Sequence, residues 1–301
     1  MEYILKTNGL TKSYVGRPVV NNVNMHVRKG DIYGFIGKNG AGKTTLIRMV
    51  SGLAAPTKGN MELFESKELT KKRAQIGTII EAPSLYPNMS ARENLEYYRM
   101  LYGIPSKKRV DEVLTIVSLN NTGKKKARNF SLGMRQRLGV AIALLSSPDF
   151  LILDEPINGL DPTGVKDMRD LILRLNKEHN ITILISSHIL GELSKIATCY
   201  GIINNGFLVD EFTAVELSVR CKRCIKMQVD DVKKASTLVE SHFQTTNFDI
   251  LPDNTLRLFD HLDQTGAINK LLVSNDVTVS ELRISGQDLE GYFLELMGGL
   301  N

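Results

Sequence analysis

The sequence predicts an α/β fold with a mostly parallel core sheet, followed by a smaller α+β domain. Three observations predict it. Runs that are almost wholly apolar, Asp31–Ile36, Phe150–Leu153 and Ile181–Ser186, read as strands buried on both faces, the mark of a parallel sheet. Between the last two, Val165, Met168, Leu171, Ile172 and Leu175 recur at helical spacing and form an apolar stripe against that sheet. From about Cys224 the rhythm changes to strand, helix, two strands, helix and strand.

Taken in order, the strand at Asp31–Ile36 runs into a glycine-rich turn and then a helix through Leu46, Ile47 and Val50. Ser90-Ala-Arg-Glu93 is a capping box that opens a helix through Leu95, Tyr98 and Tyr102. Ser131 stands as the N-cap of a helix through Leu138, Ile142 and Leu145. Asn205-Gly206, between Tyr200–Ile203 and Phe207–Val209, reads as a hairpin turn. The later part predicts a strand at Ile225–Val229, a helix at Val232–His242 and two short strands around Pro252-Asp253-Asn254. A helix at Gln264–Ser274, a strand at Thr278–Ile284 and a closing helix at Asp288–Met297 complete it. The boundary falls within residues 212–222, giving a first domain over 1–215 and a second over 216–301.

Composition agrees with a folded, two-domain chain. The 301 residues are 42% hydrophobic and 24% charged, which excludes intrinsic disorder. No run of about 18 apolar residues occurs, so no helix is expected to span a bilayer. The start lacks the basic stretch and apolar core of a signal peptide. Three cysteines, an odd count, do not make a disulfide framework and point to a reducing cytosol. The net charge of +5 conceals a split: 29 Lys and Arg against 18 Asp and Glu through Val209, and nine against fifteen beyond. A basic first part suits nucleic acid, phosphorylated ligands or anionic lipid, and motifs must choose among them.

The first motif is Gly37-Lys38-Asn39-Gly40-Ala41-Gly42-Lys43-Thr44, followed by Thr45, which fits G-x-x-x-x-G-K-[ST]. Glycines let successive backbone amides turn inward as a concave anion nest. The helix that follows aims its positive end at the same place. Lys43 would bridge the β- and γ-phosphates of ATP, and the Thr44 hydroxyl would hold Mg²⁺. A strand before and a helix after set the loop apart from a chance glycine-rich turn.

The second motif is Phe150-Leu-Ile-Leu-Asp154-Glu155-Pro156, a buried strand ending in two acids. Asp154 would hold Mg²⁺ through its water shell, and Glu155 would orient or deprotonate the attacking water. Alone it is a solvated strand end, where acids are common; with the phosphate loop it predicts a P-loop nucleotide hydrolase.

With these motifs the sequence resembles the ABC transporter ATPases, over roughly residues 3–215. Phe130-Ser131-Leu132-Gly133-Met134-Arg135-Gln136-Arg137 is similar to a variant of that family's L-S-G-G-Q signature. Ser187-His188 resembles its switch histidine, Gly159-Leu160-Asp161-Pro162 its loop linking two nucleotide sites, and Tyr14 the aromatic that stacks on adenine. The resemblance implies an ABC cassette with an antiparallel N-terminal β part and a helical insert. It implies a homodimer in which each ATP lies between one phosphate loop and the other copy's Ser131, Leu132, Gly133 and Met134. It also implies a separate membrane permease, docked on the insert between Glu81 and Phe130, and hence a place on the cytoplasmic side of the membrane.

One departure matters. Glu81, in Ile76-Gly-Thr-Ile-Ile-Glu81, stands where the family usually has a glutamine near the metal, which places it with Thr44 and Asp154 among the residues expected to hold Mg²⁺. A carboxylate adds negative charge there and, while ionised, cannot donate a hydrogen bond. This variant, the Ser-Leu-Gly-Met-Arg-Gln signature and the tail length resemble the subfamily that exports, or confers immunity to, bacitracin, lantibiotics and other peptide antibiotics. The alternatives are another multidrug or small-molecule exporter, an importer subunit, or a soluble ABC ATPase acting on nucleic acid or ribosomes. Only about ninety residues separate phosphate loop and signature, against the long coiled coils of DNA-repair members, so no nucleic-acid partner is expected. Cys221-Lys-Arg-Cys224 lacks a second pair for zinc, and Lys124-Lys-Lys-Ala-Arg128 reads as a solvated loop.

Overall fold

A computed structural model describes residues 2–221, 223–285 and 292–293. The chain divides into two compact units, Met1–Ala214 and Val215–Asn301.

The first unit opens with an antiparallel sheet. Its long strand β1 (Tyr3–Tyr14) pairs with β2 (Arg17–Val23) and β3 (His26–Arg28). Two elements later in the chain, β4 (Ile32–Ile36) and α1 (Lys43–Val50), precede β5 (Lys58–Leu63), which returns to pair with β1. After α2 (Leu69–Arg73) and β6 (Ile76–Ile79) comes the helical insert, α3 (Ala91–Leu101) and α4 (Lys108–Ile116). The capping box forms as expected: Ser90 Oγ accepts from the Glu93 amide while the Ser90 amide donates to Glu93 Oε2. The remaining elements are α5 (Leu132–Leu144), β7 (Phe150–Asp154), α6 (Pro162–Lys177), β8 (Thr182–Ser187), α7 (Leu190–Leu193), β9 (Cys199–Asn204) and β10 (Phe207–Thr213).

The core sheet has the order β10-β9-β4-β8-β7-β6 and is parallel except for β10. Its central strands are buried along their whole length, which explains why they read as unbroken apolar runs rather than as alternation. The hairpin into β10 turns at Asn205 and Gly206, both at positive φ, as a tight two-residue turn requires. Helix α6 buries Met168, Leu171, Ile172 and Leu175, the predicted stripe, and leaves Val165 half-buried. Tyr33 of β4 is buried and donates to Glu211 of β10 at 2.7 Å. Glu211 also takes the His26 amide and ring, so a single carboxylate ties the antiparallel sheet to the core sheet.

The second unit follows α8 (Ala214–Arg220) with β11 (Cys224–Val229), α9 (Val232–Phe243), β12 (Phe248–Leu251), β13 (Thr255–Leu258), α10 (Thr265–Ser274) and β14 (Val279–Ser285). Its antiparallel sheet has the order β12-β13-β11-β14, a split β-α-β arrangement. Ile225, Met227, Leu256 and Leu258 of the sheet pack with Ala235, Val239, Ile268 and Leu272 of the helices. The helix expected at Asp288–Met297 lies outside the described residues, apart from Tyr292 and Phe293.

Candidate active site

Parallel pairing brings the candidate residues to one edge. Strand β4 lies against β8 with Ile36 opposite Ser187, and β7 lies against β8 with Asp154 opposite Ser186. The loop after β4, the acids ending β7 and the histidine after β8 therefore emerge together, at the C-terminal edge where open α/β sheets bind ligands.

The phosphate loop needs its glycines. At Gly42 φ is 111°, and a Cβ would lie 2.6 Å from the Val19 carbonyl oxygen; at Gly37 it would meet the Ile203 carbonyl at 2.5 Å. Gly42 also serves as N-cap of α1 without a side-chain cap, and no acid occupies the first turn. The amides of that turn thus keep their positive end for an anion from outside. Lys43, only 6% exposed, donates to the carbonyls of Gly37 at 2.6 Å and Lys38 at 3.3 Å. Asn39, Gly40, Gly42, Lys43, Thr44, Thr45 and Glu155 line one cavity, together with Val19. Ala41 is buried beneath the loop.

The acids are wired into this loop. Thr44 Oγ1 donates to Asp154 Oδ2 at 2.7 Å, two hard oxygen donors that fit a divalent cation. Asp154 is buried, and its other oxygen accepts from Ser186 Oγ. Glu155 stands at φ 51°, in the left-handed region, which turns its side chain out of strand alternation. Glu155 Oε1 lies 3.2 Å from the Lys43 ammonium, off the hydrogen-bond axis, while Oε2 lies 2.8 Å from His188 Nδ1. Lys43, Glu155 and His188 thus form one chain of contacts, with Thr44, Asp154 and Ser186 as a second beside it.

The signature residues lie in a different cavity. Ser131, Leu132, Gly133, Gly159, Leu160 and Asp161 line it with Arg137, Thr163, Gly164 and Asp167. Ser131 caps α5 by accepting from the Met134 amide at 3.2 Å, and Asp161 caps α6 by accepting from Gly164 at 3.0 Å. Tyr14 ends β1, is 46% exposed, and has the Lys12 ammonium over its ring at 5.0 Å.

Glu81 is in neither cavity. It sits at φ 63° with its carboxylate 2.6 Å from Arg48, in the last turn of α1. A guanidinium of the phosphate-loop helix therefore offsets the charge that the sequence shows as unbalanced. Directly beside Glu81, a groove is lined by Leu53, Ile80, Pro83, Tyr98, Tyr102 and Ile142, with Tyr86 and Tyr97 stacked edge-on nearby. Sequence reasoning does not single out Arg48 or Ser186. For Ser186 the available signal is two consecutive hydroxyls closing an otherwise apolar strand; for Arg48 there is none, since its partner lies 33 residues away.

Similarity to known proteins gives the family. The family pattern described as ABC transporter matches residues 20–158. The bacitracin transport ATP-binding protein BcrA of Bacillus licheniformis is 47% identical over 302 residues, 99% of this chain and 99% of the relative. The lantibiotic transport ATP-binding protein SrtF of Streptococcus pyogenes is 44% identical over 209 residues, 69% of this chain and 90% of the relative. Among solved structures, a dimeric ATP-binding cassette in a post-hydrolysis state with ADP and Pi bound is 25% identical, covering 70% of this chain and 98% of its own, at a TM-score of 0.63. The chain therefore belongs to the ABC transporter ATP-binding proteins, and is a nucleotide-binding, ATP-hydrolysing cassette.

Proposed function

We propose that the chain powers export of, or resistance to, a peptide antibiotic of the bacitracin or lantibiotic kind, through a separate membrane permease. The observation that carries this reading is the end-to-end similarity to a bacitracin transport ATP-binding protein, second unit included. Among the described residues no helix is long and apolar enough to cross a membrane, so the substrate path belongs to another chain. The groove beside Glu81 is the surface offered to that permease: its lining mixes Tyr98, Tyr102 and aliphatic side chains with Thr78 and Ser84, and it adjoins α1 through the Glu81–Arg48 pair. Docking there holds the cassette at the cytoplasmic face of the membrane.

In the proposed site two copies meet head to tail. Tyr14 stacks on adenine, and the residues Gly37 to Thr45 and the α1 amides hold the phosphates. Lys43 reaches the β- and γ-phosphates. Thr44 and Asp154 would hold Mg²⁺, which when bound would neutralise phosphate charge; Glu81, the third residue expected at the metal, has its carboxylate paired to Arg48. Glu155 accepts a proton from water as the water oxygen bonds the γ-phosphorus and the bond to the bridging oxygen of ADP breaks. His188 orients Glu155 and meets the γ-phosphate. Ser131, Leu132, Gly133 and Met134 of the second copy close the site from the far side, next to Asp161.

Expression of the chain with its permease in a sensitive bacterium tests this reading. Resistance to bacitracin or a lantibiotic is expected to rise with the native pair and to vanish with Lys43→Ala. ATPase activity stimulated by DNA or ribosomes, with no change in resistance, would favour a non-transport role.

A further inference from the structure

We propose that Ser186 is a positioning residue for ATP hydrolysis, a single buried hydroxyl that sets the orientation of both acids at once; the inference rests on the proposed roles of Asp154 and Glu155. Ser186 is fully buried near the end of β8, opposite Asp154 in the parallel register. Its hydroxyl makes two bonds of opposite sense. It donates its proton to Asp154 Oδ1 and accepts the Glu155 backbone N–H at 2.9 Å. The Ser186 carbonyl takes the same N–H at 3.2 Å.

The consequence follows from backbone geometry. In an extended strand the side chains of Asp154 and Glu155 would point to opposite faces. Here Glu155 is left-handed, a conformation that is strained for a non-glycine residue and persists where the surroundings hold it. The bond from the Glu155 amide to Ser186 is a direct restraint on that turn. With it in place, Asp154 faces Thr44 while Glu155 faces Lys43 and His188, so metal-holding and base functions separate between adjacent residues. Ser186 also leaves Asp154 Oδ2 to Thr44 by occupying Oδ1. Alanine at this position would remove the hydroxyl as donor to Asp154 and as acceptor from Glu155, leaving the Glu155 amide only the longer bond to the backbone carbonyl; threonine would keep the hydroxyl.

The test compares Ser186→Ala, Ser186→Thr and Glu155→Gln in the full chain, following steady-state ATPase rates, Mg²⁺ dependence, nucleotide affinity and melting temperature. Ser186→Ala is expected to lower kcat by about 10- to 100-fold, the usual effect of a group that orients a metal or catalytic ligand. Its Mg²⁺ requirement should rise while nucleotide affinity stays within about threefold, and Ser186→Thr should recover most of the rate. A Ser186→Ala rate within about twofold of the native chain would overturn the proposal. So would Ser186→Thr failing as badly as alanine at an unchanged melting temperature, since the hydroxyl would then not be what matters. If Glu155→Gln itself keeps full turnover, the assignment of the base fails instead, and the two failures are told apart.

Discussion

Helix ends in the cassette are built on two opposite plans. At α1 the cap is a left-handed glycine with no side-chain bond and no acid in the first turn, so the helix leaves its amides to an incoming anion. At α5 and α6 the caps are Ser131 and Asp161, each accepting from an amide of its own helix. The surroundings differ in the same sense. Around α1 a buried ammonium, Glu155 and a histidine are linked within 3.2 Å, and Thr44 bonds Asp154 beside them. Around α5 and α6 the charges are Asp161 and the Arg137–Asp167 pair at 3.8 Å, with no base poised beside a buried cation among the described residues. One end is equipped for chemistry, the other to present hydroxyl and amide donors. In the proposed dimer, two copies arranged head to tail would bring one end of each kind to every site.

The comparison breaks first at Glu155. Replacement by glutamine removes the base but keeps size and the contact to Lys43, so turnover should fall by about 10²- to 10⁴-fold with ATP affinity retained. Phosphate release at the native rate would show that the α1 side is not where the proton is taken. The α5 side is sharpened by Ser131→Ala. Turnover should drop by about 10²-fold, because one preset donor is lost, and the helix should lose about 0.5–2 kcal/mol of capping. ATP affinity of the single chain, read by fluorescent-nucleotide titration, should not move; a parallel loss of affinity would place Ser131 with its own phosphate loop instead.

The smallest effect belongs to a further helix end, α3, which caps itself twice and serves as a control. Glu93 is held down to about 2, first by the Ser90 amide and then by Lys126. A carboxyl whose folded value is depressed contributes stability above its ordinary value of 4.5, and that contribution fades as pH falls towards 2. The stability gap between the native chain and Glu93→Gln, from denaturant melts, should therefore narrow over that interval while ATP turnover at neutral pH stays unchanged. A gap independent of pH would remove the carboxylate from the cap.

Much of this was legible because it is local. The phosphate loop, the acids after Phe150–Leu153, the Ser90–Glu93 box and the Asn205-Gly206 turn each depend on residues within a few positions of one another. Buried parallel strands announce themselves by unbroken apolar runs. The strands of the first sheet do not: β1 mixes Lys, Thr and Asn among its apolar residues, and its pairing with β5 spans more than forty residues that no periodicity encodes. Contacts across the fold were hidden for the same reason. Glu81 reads as an unbalanced charge until Arg48 is seen beside it, and Ser186 reads as a strand residue until β7 and β8 are laid side by side. The acidic balance of the residues beyond Val209 has no counterpart in the contacts described.

The central claim, that one copy's phosphate loop and the other's α5 end complete the site, is tested most directly by the solution mass of the Glu155→Gln chain with Mg²⁺-ATP. The single-chain mass of 33.5 kDa is expected without nucleotide, twice that with ATP, and the single mass again when Ser131→Arg is added. An ATP-saturated chain that stays at the single mass, or a dimer indifferent to Ser131→Arg, would contradict it.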